Sequence, residues 1–217
     1  MNSPLKYIYK GSVPTKSDKK GVIILLHGYG SNEMDLLDFG SDLPSDYFVV
    51  SAQAPISLPW GGFAWFNLDF SGIEKIVDLE QAESSRLQVI EFINYIKSYY
   101  EVDEDNILLL GFSQGAMLSQ GVAMTHPDLL KGTIALSGFI MQDALKTKMA
   151  PEEEIKKLSF FIGHGAVDDV VPVEQDRKSK FFLEKMGAKL SYNEYPVAHG
   201  ILPRELDDIV LWINQLV

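Results

Sequence analysis

A chain of 217 residues with 46% hydrophobic content can bury one substantial core, and nothing in it divides, so a single domain over residues 1–217 is expected. The formal charge of −11 argues against nucleic acid or an anionic membrane surface as the main partner, because both are polyanions that repel it at long range. The absence of cysteine excludes disulfides, thiolate metal sites and a thiol nucleophile together. No apolar run approaches the ~20 residues of a membrane span, and the start MNSPLKYIYKGS lacks the basic-then-apolar pattern of a secretory signal. A cytoplasmic protein without stable membrane insertion is expected.

In chain order, Leu5–Tyr9 alternates apolar and polar as an edge strand does, and Val22–Leu26 reads as a buried strand ending in His27-Gly28-Tyr29-Gly30. Asn32 is placed to cap a helix carrying Met34, Leu36, Leu37 and Phe39, and Tyr47–Ser51 is another strand. From Pro55 to Gly72 the chain has no clear period and holds Trp60, Phe63, Trp65, Phe66 and Phe70, so a long loop with aromatic side chains to place is expected. Asp78–Tyr100 has the clearest helical period, with Leu87, Ile90, Ile93 and Ile96 at three-residue steps. Asn106–Gln120 reads as strand, sharp turn and helix, and Pro127 ends that helix near His126. Thr133–Ser137 and Ser159–Ile162 are strand-like, and the Glu152-Glu153-Glu154 cluster between them suits a helix start. Val173–Met186 is a helix stopped by Gly187, Lys189–Tyr195 a strand, and Pro203–Leu216 a closing helix with Leu206, Ile209, Ile213 and Leu216 inward. The β, α alternation predicts a mostly parallel sheet with helices on both faces and a site at the carboxyl ends of its strands.

The chemistry centres on Gly111-Phe112-Ser113-Gln114-Gly115, a G-x-S-x-G sequence that follows an apolar run and opens a helix. A serine on a strained turn stands clear of the backbone only if side chains two residues away on either side are absent. Its hydroxyl needs a base to take the proton and an anion to orient the base. Downstream, the strand-like Ser159–Ile162 leads into His164-Gly165-Ala166-Val167-Asp168-Asp169, where Asp168 is the candidate acid and its neighbour Asp169 the alternative. The last strand leads into Val197-Ala198-His199-Gly200, which delivers His199 as the base. His27 and His164 each close a strand and are read as loop supports, and His126 is assigned no catalytic part. A metal site from His164, Asp168, Asp169 and His199 would strand Ser113, and no metal is expected. The two donors that an oxyanion requires are assigned to the backbone N–H groups of Gln114 and Tyr29.

Leu26-His27-Gly28-Tyr29-Gly30, Gly111-Phe112-Ser113-Gln114-Gly115, His164-Gly165 with Asp168, Val171 and Pro172, and His199-Gly200 stand in an order that resembles the phospholipase/carboxylesterase family of α/β-hydrolases. The resemblance spans nearly the whole chain. It implies an α/β-hydrolase fold without a large cap domain, a triad of Ser113, His199 and Asp168, oxyanion donors from Tyr29 and Gln114, and no cofactor. It also implies substrate contact from Trp60, Phe63, Trp65 or Phe66, since this region lines the acyl-side groove in similar proteins. Ala116 departs from the pattern, because many members carry a second glycine there.

The expected activity is a serine carboxylesterase acting on short- to medium-chain esters through an acyl-enzyme. The alternatives are a thioesterase acting on acylated proteins or a lysophospholipase, both preferring long acyl chains, and, from another class, a ligand-binding module on the same scaffold. Monomer and homodimer are left open.

Overall fold

The computed structural model describes residues 2–69 and 76–216, which build a seven-stranded sheet flanked by helices. The strands are β1 (Tyr7–Lys10), β2 (Gly21–Leu26), β3 (Tyr47–Ala52), β4 (Ile107–Phe112), β5 (Gly132–Leu136), β6 (Ser159–Gly165) and β7 (Lys189–Tyr195). They lie in the order β1-β3-β2-β4-β5-β6-β7, all parallel except β1, which pairs antiparallel with β3 at the edge. The long helices are α1 (Leu79–Tyr99), α2 (Gln114–Thr125), α3 (Val173–Lys185) and α4 (Pro203–Asn214). This is the α/β-hydrolase architecture, with no separate cap evident among the described residues.

The apolar runs of β2 and β4 reflect burial on both faces. Val22, Ile24, Leu26, Ile107 and Leu109 pack with Ile93, Ile96, Leu118 and Val122 in one core. Ile23, Leu25, Leu108, Leu110 and Ile134 pack with Ile209 and Ile213 in another. The register sets Leu26 opposite Gly111 and Gly111 opposite Ala135, so the carboxyl ends of the central strands are level. The loops that follow those ends therefore converge on one rim.

Two local expectations change. The segment after Asn32 is not a regular helix: Asn32 accepts the Met34 N–H at 2.9 Å, a 3-10 turn covers Leu36–Ser41, and Met34 is 66% exposed. Only Leu36 of the expected apolar set is fully inward, because one short turn cannot present a whole stripe. In α1, capped by Asp78 accepting the Gln81 N–H, Leu87 points outward at 46% exposure. A row of three-residue steps drifts by about 60° per step around a helix, so the row from Leu87 to Ile96 cannot stay on one face. The buried face carries Ala82, Ser85, Arg86, Val89, Ile90, Phe92, Ile93, Tyr95 and Ile96.

Glu205 on α4 is 2% exposed, and burial pushes its carboxyl up to about 7, opposed by the Leu202 N–H that it accepts. A carboxyl raised in the folded state favours folding while protonated, and that contribution is lost as pH rises from about 4.5 to about 7. Glu205→Gln is therefore expected to match the parent in urea unfolding near pH 4.5 and to exceed it by about 1–2 kcal/mol at pH 8. An equal difference at both pH values would assign the effect to packing.

Candidate active site

β4 ends at Phe112, and Ser113 then takes φ 54 and ψ −114, a left-handed conformation that few non-glycine residues adopt. The strain is held from several sides. The Ser113 N–H donates to Leu136 O at 2.8 Å, a Cβ on Gly111 would strike the Gly115 carbonyl, and one on Gly115 would strike the Leu26 carbonyl. Both glycines are thus required for the turn to sit against β2. The methyl of Ala116 is buried against Gly138, whose own Cβ would come within 2.5 Å of it, so glycine at 138 makes the room.

The loop after β7 brings His199 to Ser113, with Nε2 3.0 Å from Oγ. The loop after β6 brings Asp168 to the other side of the ring, with Oδ2 2.6 Å from Nδ1. The second oxygen of Asp168 accepts the N–H groups of Val170 at 2.9 Å and Val171 at 2.8 Å. Asp169 is exposed and lines the groove. Of the two adjacent aspartates the structure therefore brings Asp168 to the imidazole. With Asp168 accepting from Nδ1–H, Nε2 is left to accept the serine proton.

The remaining histidines are engaged elsewhere. His27 is fully buried, its Nε2 accepts the Ala54 N–H at 3.0 Å and its Nδ1 donates to Gly28 O at 2.7 Å, while desolvation lowers its pKa. It ties the β2 loop to the segment after β3. The Nδ1 of His126 lies 3.1 Å from Thr125 Oγ1. His164 is fully buried between Asp176 and the Val171 carbonyl. Among the described residues, no group of three or more His, Asp or Glu is placed to hold a metal ion.

Gln114 opens α2, where the first N–H groups have no carbonyl one turn earlier to bond. The Gly28 backbone packs directly on Ser113, since a Cβ there would lie 3.4 Å from Ser113 Cβ, and this sets the following Tyr29 on the same rim. Both residues line a groove of about 1030 Å3 that also contains Ser113 and His199. Sequence reading did not single out the Gln114 side chain, whose Oε1 accepts the Trp65 N–H at 3.1 Å and whose Nε2 donates to Phe66 O at 2.7 Å. It anchors the aromatic loop to the elbow. The only sequence signal for this was an amide at the first position of the helix.

Of the four aromatics expected to meet substrate, Phe66 alone reaches the groove wall, from a fully buried position in the core. Trp65 is fully buried, and its indole N–H donates to His27 O at 2.9 Å, which makes it a core side chain. Trp60 is 72% exposed on a turn joining the short strands Ile56–Ser57 and Phe63–Ala64, and half-buried Phe63 bridges to Ser31. Phe70, at the end of that loop, lies outside the described residues. The apolar wall comes instead from Leu68, Val77, Met117 and Phe139 beside Phe66, side chains scattered over the chain without a shared motif.

A level, nearly all-parallel sheet that presents a strained serine, a carboxylate and an imidazole in sequence order defines a serine hydrolase of the α/β-hydrolase class. The family model described as Phospholipase/Carboxylesterase matches residues 11–217, and the chain belongs to that family. It is 30% identical over 216 residues to acyl-protein thioesterase 1 of Kluyveromyces lactis, an alignment covering 90% of this chain and 92% of the relative. Among solved structures it resembles esterase PE8, at 26% identity and a TM-score of 0.83 with 98% of each chain covered. It also resembles the Bacillus cereus carboxylesterase in fold, with a TM-score of 0.85 at 24% identity, covering 100% of this chain and 96% of that one.

Proposed function

We propose that the protein hydrolyses short- to medium-chain carboxylic esters through an acyl-enzyme formed on Ser113. The observation that carries this reading is the 3.0 Å contact between His199 Nε2 and Ser113 Oγ, made while Asp168 engages the opposite ring nitrogen. His199 takes the serine proton as Oγ attacks the carbonyl, and the N–H groups of Tyr29 and Gln114 receive the developing oxyanion. The imidazolium then protonates the leaving alcohol. Water, deprotonated by the same ring, releases the acid. Asp168 keeps the ring in its useful tautomer and stabilises its charge. The sequence supplies every group that these steps use, and none calls for a cofactor.

The groove supports small, flexible acyl groups, because its apolar wall of Phe66, Leu68, Val77, Met117 and Phe139 adjoins the serine and opens to solvent. A second reading, thioesterase action on long acyl chains, is favoured by the relative's description as an acyl-protein thioesterase. Hydrolysis of p-nitrophenyl esters from acetate to palmitate separates the two. The expected maximum of kcat/KM lies between butyrate and octanoate; a maximum at palmitate, with faster turnover of palmitoyl thioesters, would transfer the assignment to the second reading.

A further inference from the structure

Behind the triad lies a buried charged cluster that the reaction as written does not use. His164, at the end of β6, and Asp176, on α3, are both fully buried, with Nδ1 of the ring 3.1 Å from Oδ2 of the carboxylate. The other ring nitrogen, Nε2, is 2.9 Å from the Val171 carbonyl, an acceptor only, so Nε2 carries a proton. The same nitrogen is 3.5 Å from Oδ2 of Asp168, the oxygen that holds His199. Val171 in turn donates its N–H to the other oxygen of Asp168. Two routes therefore connect His164 to the catalytic carboxylate, one through space and one through the Val171 backbone.

We propose that His164 is a positioning residue for hydrolysis: clamped between Asp176 and Val171, it fixes the loop carrying Asp168, and as a cation beside Oδ2 it offsets part of the charge with which Asp168 holds His199. The proposal rests on Ser113, His199 and Asp168 acting as described above. Without that offset, the full charge of a carboxylate 2.6 Å away would act on the His199 ring, which must be neutral to take the serine proton.

The surroundings favour the cation. Charged groups face the His164 ring from each neighbouring element: Asp168 from its own loop, Asp176 from α3, Glu194 from β7 and Glu205 from α4. Glu194 is already paired with Arg177 at 2.8 and 2.7 Å, and Tyr192 lies toward Asp176. Burial is the largest single influence and opposes a charge on the ring, but the hydrogen bonds that the ring donates to Asp176 and to the Val171 carbonyl, with the charges of Asp176 and Asp168, together outweigh it and raise the His164 pKa. Burial also pushes Asp176 up to about 6, which leaves it ionised at neutral pH. Its Oδ1 is buried without a hydrogen-bond partner, so its charge depends on His164.

The test is the pH dependence of Ser113 labelling by a fluorophosphonate, alongside kcat/KM for p-nitrophenyl butyrate, in the wild type, His164→Gln and Asp176→Asn. Glutamine keeps a donor for the Val171 carbonyl without a charge, and asparagine removes the counter-ion of the ring with little change of shape. The acid limb of both rates is expected to move up by about one pH unit in His164→Gln, giving about a tenfold loss at pH 6 that shrinks to within about threefold at pH 9. Asp176→Asn should move it in the same direction by less, and it decides the matter if His164→Gln fails to fold. A loss of equal size at every pH in folded variants, or an unmoved limb, would overturn the proposal and leave His164 as packing. Because the label needs only an activated serine, a wild type that labels without hydrolysing the ester would count against the assigned substrate and leave the His164 result readable. A wild type that does not label would overturn the serine mechanism itself.

Discussion

Replacing Ser113 with alanine is expected to lower kcat/KM for p-nitrophenyl butyrate by about 10^4-fold or more and to abolish fluorophosphonate labelling. The size follows from what the side chain supplies. Without Oγ no acyl-enzyme forms, and what remains is water attacking a carbonyl held by the oxyanion donors and the groove. The fold should be preserved, because the strained backbone at φ 54 is held by the Ser113 N–H on Leu136 O and by the contacts of Gly111 and Gly115, none of which uses the hydroxyl. Substrate binding should survive with the walls of Phe66, Met117 and Phe139. A folded Ser113→Ala protein that keeps turnover above about one hundredth of the parent value would remove Ser113 from the mechanism.

Elements whose cause is local were legible in the sequence, and those set by tertiary direction were not. The apolar stretch of β2, the strand–turn–helix around Ser113 and the glycine stop of α3 each arise from a few adjacent residues, and the structure places them within a residue or two of the expected bounds. The aromatic loop behaved otherwise. An irregular segment has no period that tells inside from outside, so nothing in the sequence shows that Trp65 and Phe66, whose backbone Gln114 holds, are both fully buried and that only Phe66 also backs the groove. His164 and Asp176 stand twelve residues apart, and only the packing of α3 against β6 makes them a pair. The groove wall likewise assembles from α2, the loop after β5 and the segment before α1, with no continuous signal along the chain.

Which of the adjacent Asp168 and Asp169 turns toward His199 is likewise set by the folded loop, through the Val170 and Val171 N–H groups that Asp168 accepts. Asp168→Asn is expected to reduce kcat/KM by about 10^3- to 10^4-fold, and Asp169→Asn by no more than about threefold. Oδ1 of Asp168 accepts two backbone N–H groups, from Val170 and Val171, while Oδ2 accepts Nδ1–H of His199, so three donors converge on a side chain that donates none. An asparagine amide must turn its NH2 toward one side. Facing His199, it forces the proton from Nδ1 to Nε2, so the ring can no longer accept from Ser113; facing the loop, it sets N–H against N–H of Val170 and Val171 and displaces the carboxamide. Either orientation leaves the base mispositioned or in the wrong tautomer. Asp169 is exposed on the groove rim, and its neutralisation changes little beyond the local field. Steady-state kinetics on both variants, with circular dichroism to establish folding, checks this directly: a greater loss in Asp169→Asn than in Asp168→Asn would mean that the loop after β6 presents the other carboxylate during turnover.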